Sequence, residues 1–204
     1  SSAVKDILVL HKNLFTWNSF KVITAMFPIF IAARMVDEKL QRCFYDPRSR
    51  KNINQPPSWC HDVAKTSIAV PLVVLGLDAF LAKDDDKRWT GQIMLLGMPF
   101  VIWTKKLVKQ LKFDACLRPW HEKLTCGSER SFGGFPSGHM STVAFFSTYI
   151  LLNSRTNKLE QAFLISLVVL TGWARWMKGV HNIAQILAGT VLGGGIAYLF
   201  SKLV

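Results

Sequence analysis

Acidic residues are scarce in this chain: 13 Asp and Glu stand against 25 Lys and Arg, for a formal net charge of +12. No nucleic-acid-binding motif accompanies that charge. The basic balance therefore reads as cations that flank a membrane or meet an anionic substrate, with no nucleic-acid partner. The one dense acidic run, Asp84-Asp85-Asp86, consists of consecutive residues, which converge poorly on a single ion, so it reads as a solvated turn and no metal is expected. Internal repeats and low-complexity segments are absent. Ser1 opens no cleavable signal peptide, which leaves membrane insertion to the first apolar span.

Apolar residues are plentiful, at half of the 204 positions, and they gather into runs. Six are visible: Val22 to Ala33, Thr66 to Ala82, Trp89 to Thr104, Phe135 to Leu152, Ala162 to Ala174 and Val180 to Ser201. Most fall slightly short of the ~20 residues that cross a bilayer, so Trp89, Trp103, Lys21 and Arg34 are expected at the interfaces. Asp78, inside the second run, should turn toward the bundle interior. The expected fold is all-α, one domain over residues 1–204, a six-transmembrane-helix bundle with its site at one membrane face. Within residues 1–20, apolar side chains at Ile7, Leu8, Leu10, Leu14 and Phe15 suit an interfacial helix. The polar stretch 37–65 reads as a long loop or lid on the site face.

Three stretches carry chemistry. Arg118-Pro119 pairs a cation with a residue that fixes the backbone beside it. Pro136-Ser137-Gly138-His139 opens the fourth run, where Pro136 suits a first helical turn and the following backbone N–H groups would form an anion site at a positive helix end. Arg175 is followed by His181 and, one helical turn later, by Gln185. With six spans, all three stretches fall on the same face. One span more or fewer would separate the two histidines by a bilayer thickness. The four cysteines, Cys43, Cys60, Cys116 and Cys126, lie in loops on that face, an even number that permits disulfides. They favour an outward orientation, periplasmic in a bacterial inner membrane, although the loops on that side hold more than half of the Lys and Arg and the positive-inside tendency points the other way.

These motifs resemble those of the type-2 phosphatidic acid phosphatases, relatives of vanadium haloperoxidases. That family has a lysine seven positions before Arg-Pro, then Pro-Ser-Gly-His, then Ser-Arg with a histidine six after the arginine and an aspartate four after that. The resemblance implies an integral membrane lipid phosphatase that needs no cofactor and no metal. It implies that His181 attacks phosphorus to form a phosphohistidine and that His139 is the general acid. Lys112, Arg118, Ser137, Gly138 and Arg175 would hold the phosphate. Implied substrates are an anionic phospholipid or a polyprenyl diphosphate. Oligomeric state is not addressed by the sequence.

Three positions depart from the family pattern. Ala174 stands where the serine would be. Position 111 is leucine, so the lysine role falls to Lys112, one residue too close, or Lys109, two too far. Gln185 stands where the family has aspartate. It shares a helical face with His181 and can accept a hydrogen bond from the ring, but it brings no negative charge, and its NH₂ group can favour the wrong tautomer. In a serine protease the comparable loss costs about 10⁴ in rate. Besides hydrolysis, the sequence thus admits a lipid-to-lipid phosphotransferase, or a degenerate protein that binds or transports phospholipid without turnover. A further reading recruits another carboxylate, such as Asp114 or Glu122, in place of the aspartate.

Overall fold

The structure is a computed structural model and describes residues 17–43, 45–46, 51–52, 58–110, 117–119, 133–154 and 156–202. The described residues form α1 (Trp17–Gln41), α2 (Trp59–Leu81), α3 (Asp85–Lys109), α4 (Gly138–Asn153), α5 (Lys158–Met177) and α6 (Ile183–Phe200). Between α1 and α2, the two-residue strands β1 (Tyr45–Asp46) and β2 (Lys51–Asn52) pair antiparallel. The expected interfacial segment lies almost wholly outside the described residues. The stretch 37–65, read as a loop from its polarity, is helical to Gln41 and again from Trp59. Polar residues continue a helix readily when one face, here Asp37 and Gln41, is buried against neighbours.

Helix ends follow local chemistry. Asp84 accepts from the Asp86 N–H at 3.0 Å and caps α3, so the acidic run, expected as a solvated turn, supplies the cap and the first two residues of a helix. A reciprocal capping box between Asn157 and Glu160, at 2.9 and 2.8 Å, starts α5 and turns the chain back after α4.

Helix α4 is buried on nearly every side, from Met140 to Ser147, which marks it as the central element. Phe145 stacks on Tyr149 with centroids 6.2 Å apart and meets Phe200 of α6 edge-on at the same distance. Met94, Met98 and Val101 of α3 complete this core. Helices α4 and α6 touch backbone to side: a Cβ on Gly189 would stand 2.5 Å from the Ser137 carbonyl oxygen, and one on Gly193 would collide with that of Ser141. Glycines four apart make one smooth strip on α6, and this strip sets the depth at which α6 docks.

Many large apolar side chains face outward, among them Phe80 of α2, Leu96 and Trp103 of α3, and Leu159 and Phe163 of α5. Apolar surface of this extent suits a hydrocarbon environment. Two helices, α2 and α6, are long and apolar enough to cross a membrane. The others are shorter, as α4 is, or carry charged ends, as α1, α3 and α5 do. Asp78, expected to turn inward, is half-buried.

Candidate active site

The end of α3, the segment around Arg118, the start of α4 and the junction of α5 with α6 meet at one end of the bundle. Backbone carbonyls hold them together. Gly133 accepts from Lys109 Nζ at 2.9 Å and from Arg118 Nη2 at 3.1 Å, while Arg118 Nη1 donates to Val180 at 3.3 Å. The Ser137 N–H donates to the Gln185 carbonyl at 3.0 Å, which ties the start of α4 to the first turn of α6.

His181 is buried, and its Nδ1 lies 2.9 Å from the Gly134 carbonyl oxygen. A carbonyl can only accept, so this contact puts the proton on Nδ1 and the lone pair on Nε2. Burial and the nearby Arg175, Arg118 and Lys109 push His181 well below the ordinary imidazole range, with a hydrogen bond that the ring donates to the Gln185 side chain opposing the shift. The ring is thus neutral at physiological pH. His139 stands in the first turn of α4, within electrostatic reach of Arg175, Lys105, Lys109 and Lys178.

Gln185 is buried and uses both ends of its amide. Oε1 accepts from the Asn182 N–H at 3.2 Å, and Nε2 donates to the Leu117 carbonyl at 2.6 Å. Two neighbours in the site keep buried polar atoms without a partner among the described residues: Ser137 Oγ and Arg175 Nε. Such atoms are costly unless something polar arrives to meet them.

Most of the residues picked from sequence are brought together here: His139, His181, Gln185, Arg118, Ser137, Gly138 and Arg175. Lys112 lies outside the described residues; Lys109 shares the Gly133 carbonyl with Arg118, because α3 runs on to residue 109 and delivers its side chain there. Pro136 precedes the helix instead of opening its first turn; Ser137 is the residue before Gly138, and its N–H is already engaged by Gln185. The backbone anion site expected at this helix start is therefore reduced by one donor. Asp37 went unrecognised in the sequence because it sits in a polar stretch. It reaches across from α1 to accept the Ala184 N–H at 3.2 Å, and the Ile183 N–H as well. Lys105 also belongs to the site, its side chain lying beside Gly138 in the first turn of α4, with no motif to announce it. Among the described residues Cys43 and Cys60 are free thiols, and Cys116 and Cys126 lie outside them.

Beside the site, a cavity of about 290 Å³ opens between α1, α3 and α6, lined by Phe27, Phe30, Val108, Pro136 and Val191 among others. Phe30 meets Phe135 edge-on, 5.7 Å between centroids, so the apolar cavity shares a wall with the segment that leads into Ser137.

The PAP2 superfamily model matches residues 89–204, which contain every cation and both histidines of this cluster. The chain belongs to the PAP2 superfamily. In three dimensions this PAP2 chain is similar to a transmembrane PAP2-type phosphatidylglycerolphosphate phosphatase from Bacillus subtilis, with a TM-score of 0.54 and 20% identity. The likeness covers 98% of this chain and 92% of that one, so it extends the shared fold to α1 and α2, beyond the family match. No curated protein matches the sequence. Membership of the PAP2 superfamily supports a phosphatase at the family level, and the likeness to the transmembrane protein is one of fold.

Proposed function

We propose that this PAP2 protein spans the membrane six times and hydrolyses a phosphate or diphosphate on a lipid, with His181 as nucleophile. The observation that carries the reading is the His181–Gly134 contact. It orients the ring and leaves the Nε2 lone pair unprotonated, within electrostatic reach of Arg175, Arg118 and Lys109, which is what attack on a phosphate requires. Nε2 attacks phosphorus, the bond to the leaving oxygen breaks, and His139 gives that oxygen its proton. Water then cleaves the phosphohistidine and releases inorganic phosphate. Arg118, Arg175 and Lys109 neutralise the equatorial oxygens, and the unpartnered Ser137 Oγ and Arg175 Nε are donors waiting for them. A bound phosphate also supplies the negative charge that favours protonation of His139 among its cationic neighbours. The apolar cavity beside Pro136 suits the hydrocarbon part of the substrate.

Phosphate release from a panel of lipid phosphates in detergent tests this. His181→Ala should reduce it by at least about 10³-fold. Saturable binding of the same lipids without release would favour a non-catalytic binding protein, the reading to which Gln185 lends support. Phosphorylated acceptor lipid in place of free phosphate would favour phosphotransfer. We further propose that the site faces the periplasm from a bacterial inner membrane. Cys43 is exposed at the site end of α1, so a membrane-impermeant maleimide should label it in intact cells; labelling only after permeabilisation would reverse the orientation.

A further inference from the structure

The buried stripe of α3 ends on a lysine. Met94, Met98 and Val101 lie in the core at helical spacing, and the next position of that series is Lys105. Helices α3 and α4 approach each other at two levels, each time through a glycine. A Cβ on Gly97 of α3 would collide with the ring of Phe145, and one on Gly138 of α4 would stand 2.9 Å from Cδ and 3.2 Å from Nζ of Lys105. Among the described glycines only Gly179 has a positive φ, so backbone freedom is not what Gly138 provides. It provides space, and Lys105 occupies that space.

By itself this is a poor place for a cation. Gly138 is the first residue of α4, and a helix N-terminus carries partial positive charge and N–H groups without helical partners. Among the described residues nothing accepts a hydrogen bond from the Lys105 ammonium, whereas Lys109, one turn further along α3, is tied to the Gly133 carbonyl. Directly before Gly138, the fully buried Ser137 keeps an Oγ without a partner. An ammonium, a helix end and an unpaired buried hydroxyl can all donate. One anion with several acceptor oxygens would satisfy the three together.

We infer that Lys105 is a phosphoryl-binding residue of this site and that it reaches the anion through the gap Gly138 leaves. The inference deepens the hydrolytic reading above but rests only on its phosphate-binding half, not on turnover. Lys105 and Gly138 are then a coupled pair. A methyl group at 138 would act at a distance from the phosphate, by pushing the flexible end of the lysine out of the gap.

Two measurements on the full chain in detergent test it: the rise in melting temperature with added inorganic phosphate, which needs no turnover, and kcat/KM for phosphate release from a lipid phosphate. Lys105→Met should weaken inorganic phosphate at least about tenfold and lower kcat/KM by about 10²-fold, with Lys105→Arg recovering part of both. Gly138→Ala should lower both in the same way while its melting temperature without phosphate stays at that of the parent, so it decides the matter if Lys105→Met does not fold. Lys105→Ala removes the atoms that the new Cβ would strike. Adding Gly138→Ala to it should therefore cost less than about twofold more, where independent losses would multiply. Phosphate affinity unmoved by Lys105→Met, or losses that multiply, would overturn the inference. Phosphate binding that depends on Lys105 in a chain that releases none from any lipid would keep the inference and remove the hydrolytic reading. Turnover and phosphate binding that both survive Lys105→Met would do the reverse.

Discussion

The side-chain amide of Gln185 donates to the carbonyl of Leu117 at 2.6 Å, directly before Arg118 in the chain. Gln185 is therefore more than a weakened aspartate. It fastens the segment carrying Arg118, the arginine proposed to bind phosphate, to the helix that follows His181, and Gly134 joins Gln185 in orienting the ring. An aspartate at this position would have no donor for Leu117 and would set its charge against that carbonyl. Gln185→Asp should accordingly lower kcat/KM for phosphate release by about tenfold or more. A gain in rate would show that the missing carboxylate limits turnover after all.

Asp37 does for the start of α6 what a local cap does elsewhere, but from another helix. It accepts N–H groups of Ile183 and Ala184, and a carboxylate at a helix N-terminus is favoured by the dipole. Asp37→Ala should lower stability by about 1–3 kcal/mol, the cost of leaving those donors buried and unpaired. Asp37→Asn, which keeps an acceptor, should recover most of it. Thermal unfolding in detergent gives the comparison, and kcat should follow the same order because His181 lies just ahead of this turn.

The neutral state of buried His181 has a pH signature. Its folded-state value is depressed, so the unfolded chain binds the proton more readily. The contribution to stability is fully present above about pH 6.5, the ordinary imidazole value, and is lost progressively as pH falls below it. For the same reason the acidic limb of kcat/KM, as far as it reports this ring, should lie well below pH 6.5. Profiles of kcat/KM and of melting temperature from pH 4 to 8 check both, on the order of the imidazole range.

Gly193 tests the packing that positions the site. A Cβ there would enter the Ser141 backbone, which cannot move without displacing α4 and with it Ser137 and His139. Gly193→Ala should cost about 1–3 kcal/mol or more, as overpacking does. Gly195→Ala, where the space beside the glycine is open, should be close to neutral on the order of a few tenths of a kcal/mol. Equal melting temperatures for the two variants would count against this account of how α4 and α6 dock.

That Arg118, His139, Arg175 and His181 gather at one end of the bundle was legible in the sequence, because their spacing between apolar runs is local information. Run length and helical period set the order of the helices for the same reason. The sequence could not show that Lys109 shares a carbonyl with Arg118: that depends on where α3 ends relative to Gly133, a residue beyond the connecting segment. Nor could it show the purpose of Gln185, since Leu117 is 68 positions away, or the part played by Asp37, 147 positions from Ala184. Side-chain identity and periodicity determined the candidates and the helical bundle. Backbone carbonyls, which every residue possesses and no sequence pattern marks, decided the tautomer of His181 and the anchoring of Arg118, and only packing α6 against α4 and α1 brings those carbonyls within reach.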